Sequence, residues 1–62
     1  MDANLYFHLT DRIREAMTAD ALTVLGSEIE RVDAHEFERR ALRTLVARRR
    51  ELLAAHHIVL PA

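Results

Sequence analysis

Residues 42–53 read LRTLVARRRELL. Leucines 42, 45, 52 and 53 are spaced for the buried face of a helix, and a run of three arginines interrupts them. At about 100° per residue, Phe37, Ala41, Leu42, Leu45, Val46, Leu52 and Leu53 span about half the circumference of one long helix. A stripe that wide predicts contact with more than one neighbour. Arg39, Arg43 and Arg50 fall together on the opposite side, with Arg40 nearby, and read as a solvated basic face that an acidic partner can use. Arg48 sits at one edge of the apolar arc. Arg49 falls inside the arc, where a leucine is expected. Its stem can lie on the seam with the guanidinium in water, it can pair with Glu15 or Asp20, or it can contact a ligand. A polar residue in a seam fixes register or oligomeric state more than it adds stability.

Outward from this helix, the chain reads as three helical segments and a tail. The third segment is expected over about 34–56, opened by Asp33-Ala-His-Glu36 in the form of a capping box. The second is expected over about 19–32, with Thr18 as N-cap. Its Leu22, Leu25, Ile29 and Val32 step by three, four and three, which makes an a/d seam. With almost nothing between them, the second and third segments form an antiparallel helical hairpin. Folding it places Glu28 opposite Arg39, an expected interhelical pair. Gly26 sits mid-helix, at a cost of about 1 kcal/mol against alanine, and is expected to let another helix approach closely, with a local kink as the alternative.

The first segment is expected over about 4–17, capped by Asn4, with Leu5, Leu9, Ile13 and Met17 on one face. A strand over residues 5–9, followed by a helix capped by Thr10, is the competing reading. At about 1.5 Å per residue the third helix is longer than the second, so the first segment is expected to cover its overhang. Residues 57–62 (HIVLPA) carry two β-branched residues and a proline, and are expected to be extended.

Composition narrows the class. Half of the 62 residues are hydrophobic and 31% are charged, with one glycine (Gly26) and one proline (Pro61), so the expectation is one all-α domain. A domain this small buries only about 60% of its unfolded surface. Without cysteine it has no disulfide to help, and self-association becomes the expected support. All nine basic residues are arginine, which with the abundant alanine suits a GC-rich bacterial, archaeal or phage genome. No apolar run approaches the ~20 residues of a membrane span. The N-terminus lacks the basic region of a secretory signal, so a cytoplasmic setting is expected.

Catalysis is not expected. Ser27 is the single serine, there is no cysteine, and one glycine cannot build a phosphate loop. His35 with Glu36 and Glu38, or His56 with His57, makes only a poor metal site, so no metal or cofactor is expected. Residues 1–38 hold nine acids and three arginines; residues 39–62 hold six arginines and one acid, Glu51. The two halves of a hairpin therefore complement each other within one chain, as the net charge of −1 supports, and in an antiparallel dimer the acidic part of one chain can instead meet the basic helix of the other.

The sequence therefore reads as an antiparallel hairpin plus an N-terminal helix, packed as a small homodimeric bundle. Its expected interface core is Leu22, Leu25, Ile29, Val32, Phe37, Leu42, Leu45 and Leu52. Arg39, Arg43 and Arg50 are expected to bind a partner, and Arg49 and Glu28 to set register or form ion pairs. The expected function is non-catalytic: protein–protein interaction, by self-assembly and by regulation or inhibition of a larger partner. The alternative is a nucleic-acid-binding accessory protein that uses the arginine face of the third helix, through phosphate contacts.

Overall fold

The computed structural model describes the backbone of residues 1–59 and the side chains of residues 1–55. Three helices follow one another: α1 (Ala3–Glu15), α2 (Ala19–Arg31) and α3 (Glu36–Val59). Each packs on the other two. The N-terminal amine lies 3.2 Å from Glu38 and the Ala16 carbonyl lies 2.9 Å from Arg49, so α1 runs parallel to α3. Arg39 reaches the carbonyls of Ile29 and Val32, and Arg43 reaches Glu30, so α2 runs antiparallel to α3. The expected all-helical class and the hairpin are both present.

The first segment is a helix, not a strand. Leu9 and Ile13 are buried with Ala16, and Leu5 packs against them, which the fourfold spacing requires. Thr10 is interior to the helix and donates to the Tyr6 carbonyl at 2.9 Å, the usual way a helical threonine meets its own backbone. The N-cap is Asp2, which accepts from the Asn4 amide, so the expected Asn4 cap lies two residues late. Met17 falls beyond the helix and is exposed, and Ala16 takes the buried place at that end. Thr18 caps α2 as expected, accepting from the Ala21 amide at 3.1 Å.

The start of α3 differs from the sequence reading. The expected box between Asp33 and Glu36 is shifted by two residues. Glu38 accepts from the His35 amide at 3.0 Å, which is the N3-to-N-cap half of a capping box. A single-residue link cannot carry the chain from one helix to an antiparallel neighbour, which takes two to five residues. Val32 to His35 supply that link, and Glu36 is left to pair with Arg43. At the other end α3 continues through Val59, so the extended form expected for residues 57–62 does not hold for 57–59; residues 60–62 lie outside the described ones.

The core is one column: Leu9, Ile13, Ala16, Leu22, Leu25, Ile29, Leu42 and Val46. Leu22, Ile29 and Leu42 have no exposed surface at all. Fully burying each such side chain is worth about 1.5–3 kcal/mol, so few residues hold the fold. Gly26 is not a point of close approach within the chain. A Cβ added there meets nothing within 4 Å, and its φ is not positive. α1 does not cover the overhang of α3 either. It ends level with Arg49, and Leu52 is left 61% exposed.

Two outcomes follow. Leu42→Ala costs about 2–5 kcal/mol, which in a domain of this size leaves most of the chain unfolded in a thermal melt followed by circular dichroism. Gly26→Ala gains about 1 kcal/mol and raises the melting temperature by several degrees; an unchanged or lowered melting temperature contradicts the open space at that position.

Candidate interaction surface

The arginines of α3 divide into those engaged within the chain and those that are not. Arg39 was expected on a solvated face, yet its side chain is only 19% exposed. It donates to the carbonyls of Ile29 at 3.3 Å and Val32 at 2.9 Å. The first lies in the last turn of α2 and the second at its C-cap, where carbonyls have no intrahelical donors left and the negative end of the helix dipole lies. Arg43 donates to both oxygens of Glu30, at 2.8 and 2.7 Å, and to Glu36 at 3.0 Å. Arg50 is exposed and makes no ion pair among the described residues.

Arg49 lies on the seam, half-buried, as its place in the arc implies. Its guanidinium meets neither Glu15 nor Asp20. It donates to the Ala16 carbonyl at 2.9 Å, closing the end of α1, and rests near the Met17 sulfur. Glu28 also has a different partner from the one expected. It forms a two-point pair with Arg12 of α1, whose second contact measures 3.2 Å. A reading of the hairpin alone could not find this pair, because Arg12 comes from α1, outside the hairpin, and Arg39 is occupied at the α2 terminus.

These contacts lower three carboxyl pKa values. The Arg12 hydrogen bond and charge hold Glu28 below its ordinary value, Arg43 does the same for Glu30, and the His35 amide does so for Glu38. Arg43 is correspondingly held more firmly protonated by Glu30 and Glu36.

The eight residues expected to form an interface core separate into two groups. Leu22, Leu25, Ile29 and Leu42 are buried inside the single chain, and Val32 and Leu45 pack against them half-buried. Phe37 is 84% exposed and Leu52 is 61% exposed. The apolar arc of α3 is thus two faces. Leu42 and Val46 turn into the bundle, Phe37 and Leu52 turn away from it, and Ala41 is half-buried. Phe37 and Leu52 mark the ends of a groove along the parallel seam of α1 and α3.

That groove has two segments that share Leu45 and Arg48. One, of about 390 Å³, has Tyr6, Phe37, Ala41 and Thr44 on its walls, with Arg40 at the edge. The other, of about 160 Å³, has Thr10, Ile13 and Leu52, with Arg14 and Arg49 beside them. The sequence reading placed Arg40 near the basic face and Arg48 at the edge of the apolar arc, but did not join them with Tyr6 in one groove. Arg48 was the available signal, since its angle on the helix lies between Phe37 and Ala41. No family model matches the sequence, and no curated protein or solved structure matches the chain.

The depressed carboxyls set the acid response. Their folded pKa values lie below the unfolded ones, so their stabilisation is complete above the ordinary carboxyl value of about 4.3 and is lost as pH falls through the folded values. The melting temperature is expected to drop below about pH 4.5, and Glu28→Gln removes part of that drop. A flat profile from about pH 5 to about pH 3 contradicts the pairing. Arg49→Met, which keeps the stem but leaves the Ala16 carbonyl to water, is expected to cost about 0.5–1.5 kcal/mol in chemical denaturation.

Proposed function

We propose that this chain acts without catalysis, as a helical interaction module whose α1–α3 face takes up a helix from another polypeptide. The observation that carries this reading is the exposure of Phe37 and Leu52 at the two ends of one groove. Exposed apolar surface arranged along a groove, with polar groups at its rim, is the usual mark of an interaction site. A helix laid on α1 and α3 turns three helices into a four-helix arrangement and covers both residues. The inventory of reactive side chains supports the non-catalytic part: no cysteine, and a single serine, Ser27, exposed on α2.

The reading takes two forms. A second copy gives a homodimer, and a helix of a larger protein makes the chain its regulator or inhibitor. A cysteine-free chain suits a reducing compartment, which supports a cytoplasmic setting. Among the described residues no helix is long and apolar enough to cross a membrane. The nucleic-acid alternative draws on Arg40, Arg48 and Arg50, which are exposed and make no ion pair among the described residues. Against it, Arg39 and Arg43 are already engaged by α2 and by carboxylates.

Sedimentation of the chain over a range of concentrations tests the self-assembly form. If a second copy is the occupant, the mass rises from that of one 7.2 kDa chain towards that of two, and Phe37→Ser with Leu52→Ser holds it at one. A mass that stays at one chain up to about millimolar concentration removes homodimerisation and leaves the larger protein.

A further inference from the structure

The groove between α1 and α3 is lined by arginines and by no carboxylate. Arg40 and Arg48 project from α3 and Arg14 from α1, while the half-buried Arg49 is engaged by the Ala16 carbonyl. The chain as a whole has ten acids and a net charge of −1, so this is a local separation of charge and not an effect of composition. Glu28, Glu30, Glu36 and Glu38 are engaged elsewhere by Arg12, Arg43 and the N-terminal amine. Asp11 approaches Arg14 from one turn away, at 3.7 Å, with both side chains largely exposed. Glu51 borders a separate shallow depression with Arg48, Leu52 and Ala55. Arg40 and Arg48 have no acid within ion-pair distance among the described residues.

Building on the reading that this face takes up a helix, we propose that its occupant is an acidic amphipathic helix of a different protein. The apolar floor calls for an apolar stripe on the partner, and the arginines at the rim call for aspartates or glutamates beside that stripe. Phe37 and Leu52 are 15 positions apart on α3, which at 1.5 Å per residue is about 22 Å, or about four helical turns of partner. Arginine suits this task, because its stem covers apolar surface while its planar head takes a carboxylate at two points.

A second copy fits the groove less well. A two-fold interface sets the same patch against itself. With α3 against its antiparallel copy, Arg40 and Arg48 of one chain approach Arg48 and Arg40 of the other. Like charges brought together in a seam select against that pairing. The two occupants therefore respond oppositely to salt. Screening weakens the acidic helix and relieves the self-pairing.

The test is an NMR titration of the isotope-labelled full chain with two synthetic helical peptides of about 18 residues, enough to span the groove. Both carry the same leucine and alanine stripe; one is flanked by glutamates and the other by lysines. The glutamate peptide is expected to bind and to shift the amides of Phe37, Ala41, Leu45 and Leu52. Its affinity is expected to fall at least about tenfold between about 0.05 and about 0.5 M salt, and the lysine peptide to bind at least about tenfold more weakly. Arg40→Glu with Arg48→Glu is expected to reverse the preference; both side chains are exposed, and an unchanged melting curve checks that the variant folds. Equal binding of the two peptides, or a preference that survives the reversal, overturns the proposal. So does a DNA duplex of about 20 base pairs that binds through Arg40 and Arg48 and is indifferent to Phe37→Ser with Leu52→Ser. If the glutamate peptide fails while the chain still self-associates through Phe37 and Leu52, only the acidic partner is overturned. If neither occurs, the interaction reading falls with it.

Discussion

A helix of 13 residues is marginal in water on its own, and this fold contains two of them. Neither α1 nor α2 stands without α3. The long helix supplies Leu42 and Val46 to the core, and it supplies the donors that end both partners: Arg49 at the last carbonyls of α1, and Arg39 at those of α2. One helix thus does for two others what a glycine-based C-cap does elsewhere. Neither α1 nor α2 ends in a positive-φ residue, and both leave the helix through extended backbone at Ala16 and Val32. The carbonyls exposed by those exits are the ones the guanidinium groups reach.

Arginines on the same helix consequently do different work. Arg39 and Arg49 are structural, and Arg43 ties α3 to Glu30 across the hairpin. Arg40 and Arg48, a few positions away, have no such duty and stand beside the exposed phenylalanine and leucine. What separates the two sets is angle around the helix. The sector facing α2 carries Arg39 and Arg43. The sector facing α1 carries Leu45 and Arg49. The remaining sector, with Phe37, Ala41, Arg48 and Leu52, forms one side of the groove beside α1 and is only partly covered within the described chain.

Periodicity made much of this legible. The seam of Leu22, Leu25 and Ile29, the burial of Leu42, the helical state of residues 5–9 and the Thr18 cap all follow from spacing and side-chain chemistry. Partners were harder to read. A helical wheel gives the direction of Glu28 but not the helix it will meet, so Arg12 was missed. The arc on α3 was read as one broad face, when the bundle covers only part of it; nothing in residue type distinguishes Leu52, which is exposed, from Leu42, which is not. The shifted capping box has a similar origin: Asp33 and Glu36 have suitable chemistry, but the length needed to turn the chain decides between them and Glu38.

The groove also has a topological property. Its walls come from helices at opposite ends of the chain order. The contacts that join them, Met1 with Glu38 and Arg49 with Ala16, span 37 and 33 positions. The hairpin of α2 and α3 closes a loop of four residues. Closing the longer loop costs more chain entropy, and contacts distant in sequence slow folding. The proposed recognition surface is therefore the part of the molecule completed by its most non-local packing. An occupant that bridges α1 and α3 binds only the closed form, and by mass action its binding energy becomes folding energy. For the proposed occupant, recognition and final closure are one equilibrium, with the partner acting as the missing weight of core.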